Sequence, residues 1–93
     1  MVPTDMSPEL ETLDQLLTGE LSLAIVRQIY PSAEAFMQGT LGLLTSGDVR
    51  LFTLDQNEVP RWRWRELFVN GAVIEALDSM KLEITDQGAK RIA

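Results

Sequence analysis

Five consecutive residues, Arg61-Trp62-Arg63-Trp64-Arg65, hold the densest chemistry in this sequence. A guanidinium group is a planar fork of donors suited to carboxylates and phosphates, and an indole brings a large apolar surface with one polar handle. Both residue types are enriched where binding energy concentrates. On an extended chain, Arg61, Arg63 and Arg65 would line one face and Trp62 and Trp64 the other. Two readings are open. In one, the tryptophans pack on the body and the arginines are solvated or paired with the protein's own acids. In the other, the arginines, joined by Arg50, form a contact surface for an acidic protein, a second copy, or a phosphate backbone or narrow minor groove.

Catalytic chemistry finds fewer handles. The chain has no His and no Cys, which removes thiol chemistry, His-based nucleophile pairs, disulfides and the usual zinc sites. Neighbouring acids, such as Glu9 with Glu11 and Asp55 with Glu58, fall at a helix start or in a turn, where solvation is their ordinary state. There is no Gly-x-x-x-x-Gly-Lys loop, and Gly39 and Gly42 do not make a dinucleotide fingerprint. The expectation is a binding protein, not an enzyme, with no cofactor and no metal.

The elements that must position the Arg-Trp segment follow from periodicity. Ser7 caps, Pro8 suits the first helical position and Glu9 favours the dipole's positive end, so a helix is predicted over 8–18 with Leu10, Leu13, Leu16 and Leu17 on one face. A second helical segment is predicted from Leu21 to Tyr30, with Ser22 as its cap and Pro31 closing it, and a third from Ser32 to Gly47. Close helix packing accounts for Gly39 and Gly42 inside it. From Val49 the period turns to two. Val49–Leu54 reads as a strand, Asp55–Glu58 as a turn, and Val59–Arg65 as the returning strand of a hairpin over about 49–65, with Pro60 on an edge. Within 66–80, Asn70-Gly71 leads either into a strand over Ala72–Leu77 or, with Asn70 as the cap, into a short helix bearing Val73, Ile74 and Leu77; the reading taken is the helix. Lys81–Ile84 reads as a short strand, and Thr85 caps a closing helical turn.

At 93 residues the chain is long enough for one modest core, expected over 7–93 behind a loose tail at 1–6. Its net charge is −6, unevenly placed. The first 48 residues contain one base, Arg27, among Asp5, Glu9, Glu11, Asp14, Glu20, Glu34 and Asp48, whereas acids and bases balance in the remainder. Any nucleic-acid contact therefore has to come from a local patch. The longest apolar run without glycine is Leu23–Val26, far short of a membrane span, and the N-terminus lacks a signal-peptide pattern. A cytoplasmic location and no membrane contact are expected.

This order of three helices, hairpin, strand and closing helix is α+β and resembles the winged helix-turn-helix domains. Two stretches carry the resemblance. Ser32 through Arg50 is similar to a third helix running through a glycine into the first wing strand. Leu82-Glu83-Ile84-Thr85-Asp86-Gln87-Gly88-Ala89-Lys90-Arg91 resembles the Leu-Thr-x-x-Gly segment that leaves the wing for a C-terminal helix. The resemblance implies a DNA-binding regulator or a protein-binding module on the same scaffold. Residues 33–46, however, contain no Arg, Lys or Asn and only Gln38 and Glu34 among the longer polar side chains. This helix is poorly built to read a major groove. A protein-interaction module is therefore expected, as a homodimer or the small partner of a larger protein. The alternative is a regulator touching nucleic acid through the hairpin arginines.

Overall fold

Apolar periodicity and capping chemistry set the helices of the computed structural model, which describes residues 7–92. The tail expected at 1–6 lies outside the described residues. Helix α1 (Pro8–Leu16) starts where Ser7 accepts the Leu10 N–H at 3.2 Å. It ends two residues before the expected limit. Leu13 and Leu16 are buried, but Leu17, at the C-terminal cap, turns out to solvent.

Ser22 caps the second helix as expected, but the helix itself starts at Leu23 and not at Leu21. Leu21 and Ser22 form a two-residue strand, β1, and Ser22 then accepts the Ala24 N–H and caps α2 (Leu23–Ile29). Tyr30 takes an extended backbone conformation before Pro31, as the residue preceding proline prefers. Helix α3 (Ala33–Ser46) is capped by Ser32 and stopped by Gly47, whose φ of +89° is left-handed. A Cβ there would be strained.

Strand β2 (Val49–Thr53) and strand β3 (Met80–Ile84) pair antiparallel, with Leu51 opposite Leu82. Strand β1 takes the other side of β3, giving the sheet order β1-β3-β2. Buried Leu13, Leu23, Val26, Phe36, Leu51 and Leu82 form the heart of the core between helices and sheet. The closing helix α4 (Asp86–Ile92) begins where Thr85 accepts the Gly88 N–H at 3.1 Å. The result is a small α+β domain.

The hairpin over 49–65 is the main correction. Its return amounts to a single bridge, Phe52 with Glu58, beside the Val59 N–H donated to Leu51 at 2.8 Å. Pro60 then has no N–H to extend the ladder. Arg61–Arg63 wind into a 3-10 turn and Arg65–Val69 into a π-type turn closed by the Asn70 N–H on the Arg65 carbonyl. Burial explains the choice. Trp64, Leu67 and Phe68 recur at helical spacing and all turn inward, whereas a strand would have sent Leu67 and Phe68 to opposite faces. Past Gly71, at φ +90°, the chain makes two 3-10 turns, Ala72–Glu75 and Leu77–Ser79. The helical reading of this stretch holds only as single turns, and the Asn70 side chain caps nothing.

Candidate interaction surface

Winding the Arg-Trp segment separates its two tryptophans. Trp64 is half-buried against the core and its indole N–H donates to the Val59 carbonyl at 3.2 Å. The Arg61 guanidinium lies over its ring, 5.6 Å from the centroid, in cation–π geometry. Trp62 instead points outward and is 78% exposed. The expected division into an arginine face and a tryptophan face is therefore replaced by an anchored indole and a presented one.

The cations divide in the same way. Lys81 is buried and paired with Glu20, and Arg91 meets Asp48 at 3.0 Å. Arg27 caps its own helix end by donating to the Tyr30 carbonyl. Arg50, Arg61, Arg63 and Arg65 make no ion pair among the described residues. Arg50, Arg61 and Arg65 are exposed and Arg63 is half-buried. Arg50 joins the arm through Trp64, since both line an open groove of about 420 Å³ with Leu44, Val49, Glu58 and Gln87.

Periodicity missed a second property of this segment. Leu54, Val69 and Ile74 are also exposed, at 58%, 57% and 38%. With Trp62 they give residues 54–74 a run of uncovered apolar side chains interleaved with free guanidinium groups. The signal was present as apolar residues out of phase with either period.

Asp48 is the opposite case, an acid withdrawn from the surface. It is fully buried, and its carboxylate accepts from Ser46 at 2.9 Å, Gln87 at 3.1 Å and Arg91. Thr85 meanwhile donates its hydroxyl to the Gly47 carbonyl at 2.7 Å. These contacts fix the α3–β2 junction and hold α4 on it. Tyr30 is buried near Glu9, and its Oη, like Thr40 Oγ1, has no hydrogen-bond partner among the described residues. Burial, with the Glu9 charge adding to it, pushes the Tyr30 phenol up to about 12. It is a packed core group, not an activated one.

No helix among the described residues is long and apolar enough to cross a membrane. The chain matches no protein-family model, curated protein or solved structure.

Proposed function

We propose that this chain is a non-catalytic protein-interaction module on a winged-helix-like scaffold, and that it docks an acidic protein partner through the 54–74 arm. One observation carries the reading. Trp62 stands exposed on a wound turn whose neighbour Trp64 is anchored, beside the exposed Arg61 and Arg65, which make no ion pair among the described residues. A rigid aromatic flanked by guanidinium groups fits the composition of binding hot spots, and little ordering entropy is lost when such a residue is engaged.

Chain order supports the scaffold part of the proposal. A short strand between the first two helices returns to the last strand, α3 runs through Gly47 into β2, and Thr85 and Gly88 lead into the closing helix. In that frame residues 54–79 hold the place of the wing, here folded back so that Phe68 packs 6.2 Å from Phe36 of α3. The absence of His and Cys from the chain supports the non-catalytic part.

The test is a fluorescence titration with two probes, a panel of Asp/Glu-rich peptides carrying Leu or Phe and a 20-base-pair DNA duplex. The proposal expects peptide binding that shifts Trp62 emission and is lost in Arg61→Glu/Arg65→Glu. DNA binding alone, with a slope near −2.7 in log K against log salt for three phosphate contacts, would replace it with the nucleic-acid reading.

A further inference from the structure

The chain contains two asparagines, Asn57 and Asn70, and the fold sets them in different chemical positions. Asn70 precedes Gly71 at the junction between the π-type turn Arg65–Val69 and the 3-10 turn Ala72–Glu75. It is exposed, and its side-chain amide makes no hydrogen bond among the described residues. Gly71 has no side chain to shield its backbone nitrogen, and nothing lies within 4 Å of where its Cβ would stand. Its N–H donates to no acceptor among the described residues.

The backbone between them is lightly held. At its resting ψ of −9°, Asn70 keeps the Gly71 nitrogen out of line with its own Cβ, so attack on the side chain needs that torsion to swing. Two bonds bracket the swing, from the Asn70 N–H to the Arg65 carbonyl at 3.0 Å and from the Ile74 N–H to the Gly71 carbonyl at 3.1 Å. Each closes a single turn with no regular helix behind it, and such segments open most readily. Asn57 is placed otherwise. Its carbonyl accepts the Thr53 N–H at 2.9 Å, and the next residue, Glu58, is bridged to Phe52 and brings a side chain beside the following nitrogen.

We propose that Asn70-Gly71 is a self-modification site at which the arm acquires a carboxylate without an enzyme. The Gly71 nitrogen, its proton given to hydroxide, attacks Cγ of Asn70 and closes a five-membered succinimide. The Cγ–Nδ2 bond breaks, and the leaving nitrogen takes a proton from water and departs as ammonia. Water then opens the ring at either carbonyl, giving aspartate or an isoaspartyl linkage that runs through Cβ and Cγ. The new carboxylate stands one turn beyond Arg65, on the surface that carries Arg61 and Trp62. It opposes the guanidinium charge offered to an acidic partner, so docking declines as the protein ages. That decline rests on the function proposed above, whereas the modification does not.

Incubation of the folded chain in mildly alkaline buffer, followed by tryptic mass spectrometry, tests the site. Trypsin leaves the two asparagines on separate peptides, residues 51–61 and 66–81. Conversion at Asn70 should yield both aspartate and isoaspartate and rise with hydroxide. It should run on the order of tenfold faster than at Asn57, a barrier lower by about 1.4 kcal/mol. Asn70→Gln should stop it with an unchanged circular dichroism spectrum. An Asn70 that stays intact in the folded chain, or converts no faster than Asn57, overturns the site. Asn70→Asp should weaken acidic-peptide binding on the order of threefold, and equal binding overturns the effect on docking. A wild-type chain that binds no acidic peptide overturns the docking surface alone, because the mass shift at Asn70 is read without any partner.

Discussion

The Asp48 carboxylate, fully shielded from solvent, meets the Arg91 guanidinium at 3.0 Å and ties the closing helix to the start of β2. Gly88 seals the same junction, since a Cβ there would run into the Asp48 carbonyl oxygen. A buried carboxylate is retained only when its oxygens are satisfied, and here three donors converge on it.

Removing either side of that tie has unequal consequences. Asp48→Ala frees three donors and should cost about 3 kcal/mol. Arg91→Met leaves the Ser46 and Gln87 hydrogen bonds in place and should cost roughly 1–2 kcal/mol, because Arg91 is itself half-exposed. Urea unfolding with an unchanged m-value is the appropriate readout. Equal losses would mean that the Ser46 and Gln87 hydrogen bonds add nothing to the ion pair.

The two glycines inside α3 should respond in opposite directions. At Gly39 a Cβ meets the Glu9 carboxylate and the Tyr30 ring, so Gly39→Ala should destabilise by roughly 1–3 kcal/mol. At Gly42 the space is open, and Gly42→Ala should raise the stability of the dilute monomer by about 0.5–1 kcal/mol. Close packing, expected for both from sequence, holds only at Gly39.

Trp62 and Trp64 should separate binding from folding. Trp64→Ala removes a half-buried, hydrogen-bonded indole and the ring beneath Arg61, with an expected cost of about 2–3 kcal/mol. Trp62→Ala should change stability by no more than about 0.5 kcal/mol yet abolish partner binding. The same separation applies to Arg65→Ala. A large loss of thermal stability from Trp62→Ala would place that indole in the structure and not at an interface.

Alkaline unfolding should report on Tyr30. Its folded pKa, raised by burial to about 12, exceeds the ordinary value of 10.0. Between these values the unfolded chain releases a proton that the folded chain retains, so folding stability falls as pH rises from about 10 toward 12. Full passage through that window costs roughly 2–3 kcal/mol. Tyr30→Phe should flatten this part of the pH profile. At pH 7 the substitution should change stability by less than about 1 kcal/mol, because the phenol oxygen has no partner among the described residues.

Helix boundaries were legible because they rest on local chemistry: Ser7, Ser32, Gly47 and Thr85 act where their side chains or φ angles require. Strands β2 and β3 were legible from alternation. The brief strand at Leu21–Ser22 was not, since two residues have no period and their partners, Leu82 and Lys81, lie far along the chain. The Arg-Trp segment misled for a related reason. Its alternation is real, but the burial of Leu67 and Phe68 beyond it selects a wound backbone, a choice made by tertiary packing and not by the five residues themselves. The arginines' lack of ion pairs was likewise invisible, because it depends on where the fold sets the acids: even Glu83, opposite Arg50 in the sheet, makes no ion pair with it.

The most direct measurement is photo-crosslinking in the source cell from a benzoyl-phenylalanine placed at position 62. Covalent capture of one acidic protein is expected, reproduced with purified components and absent when Arg61→Glu and Arg65→Glu are added. Adducts to nucleic acid alone, or none despite a folded and expressed chain, would contradict the assignment of the arm as a protein-docking surface.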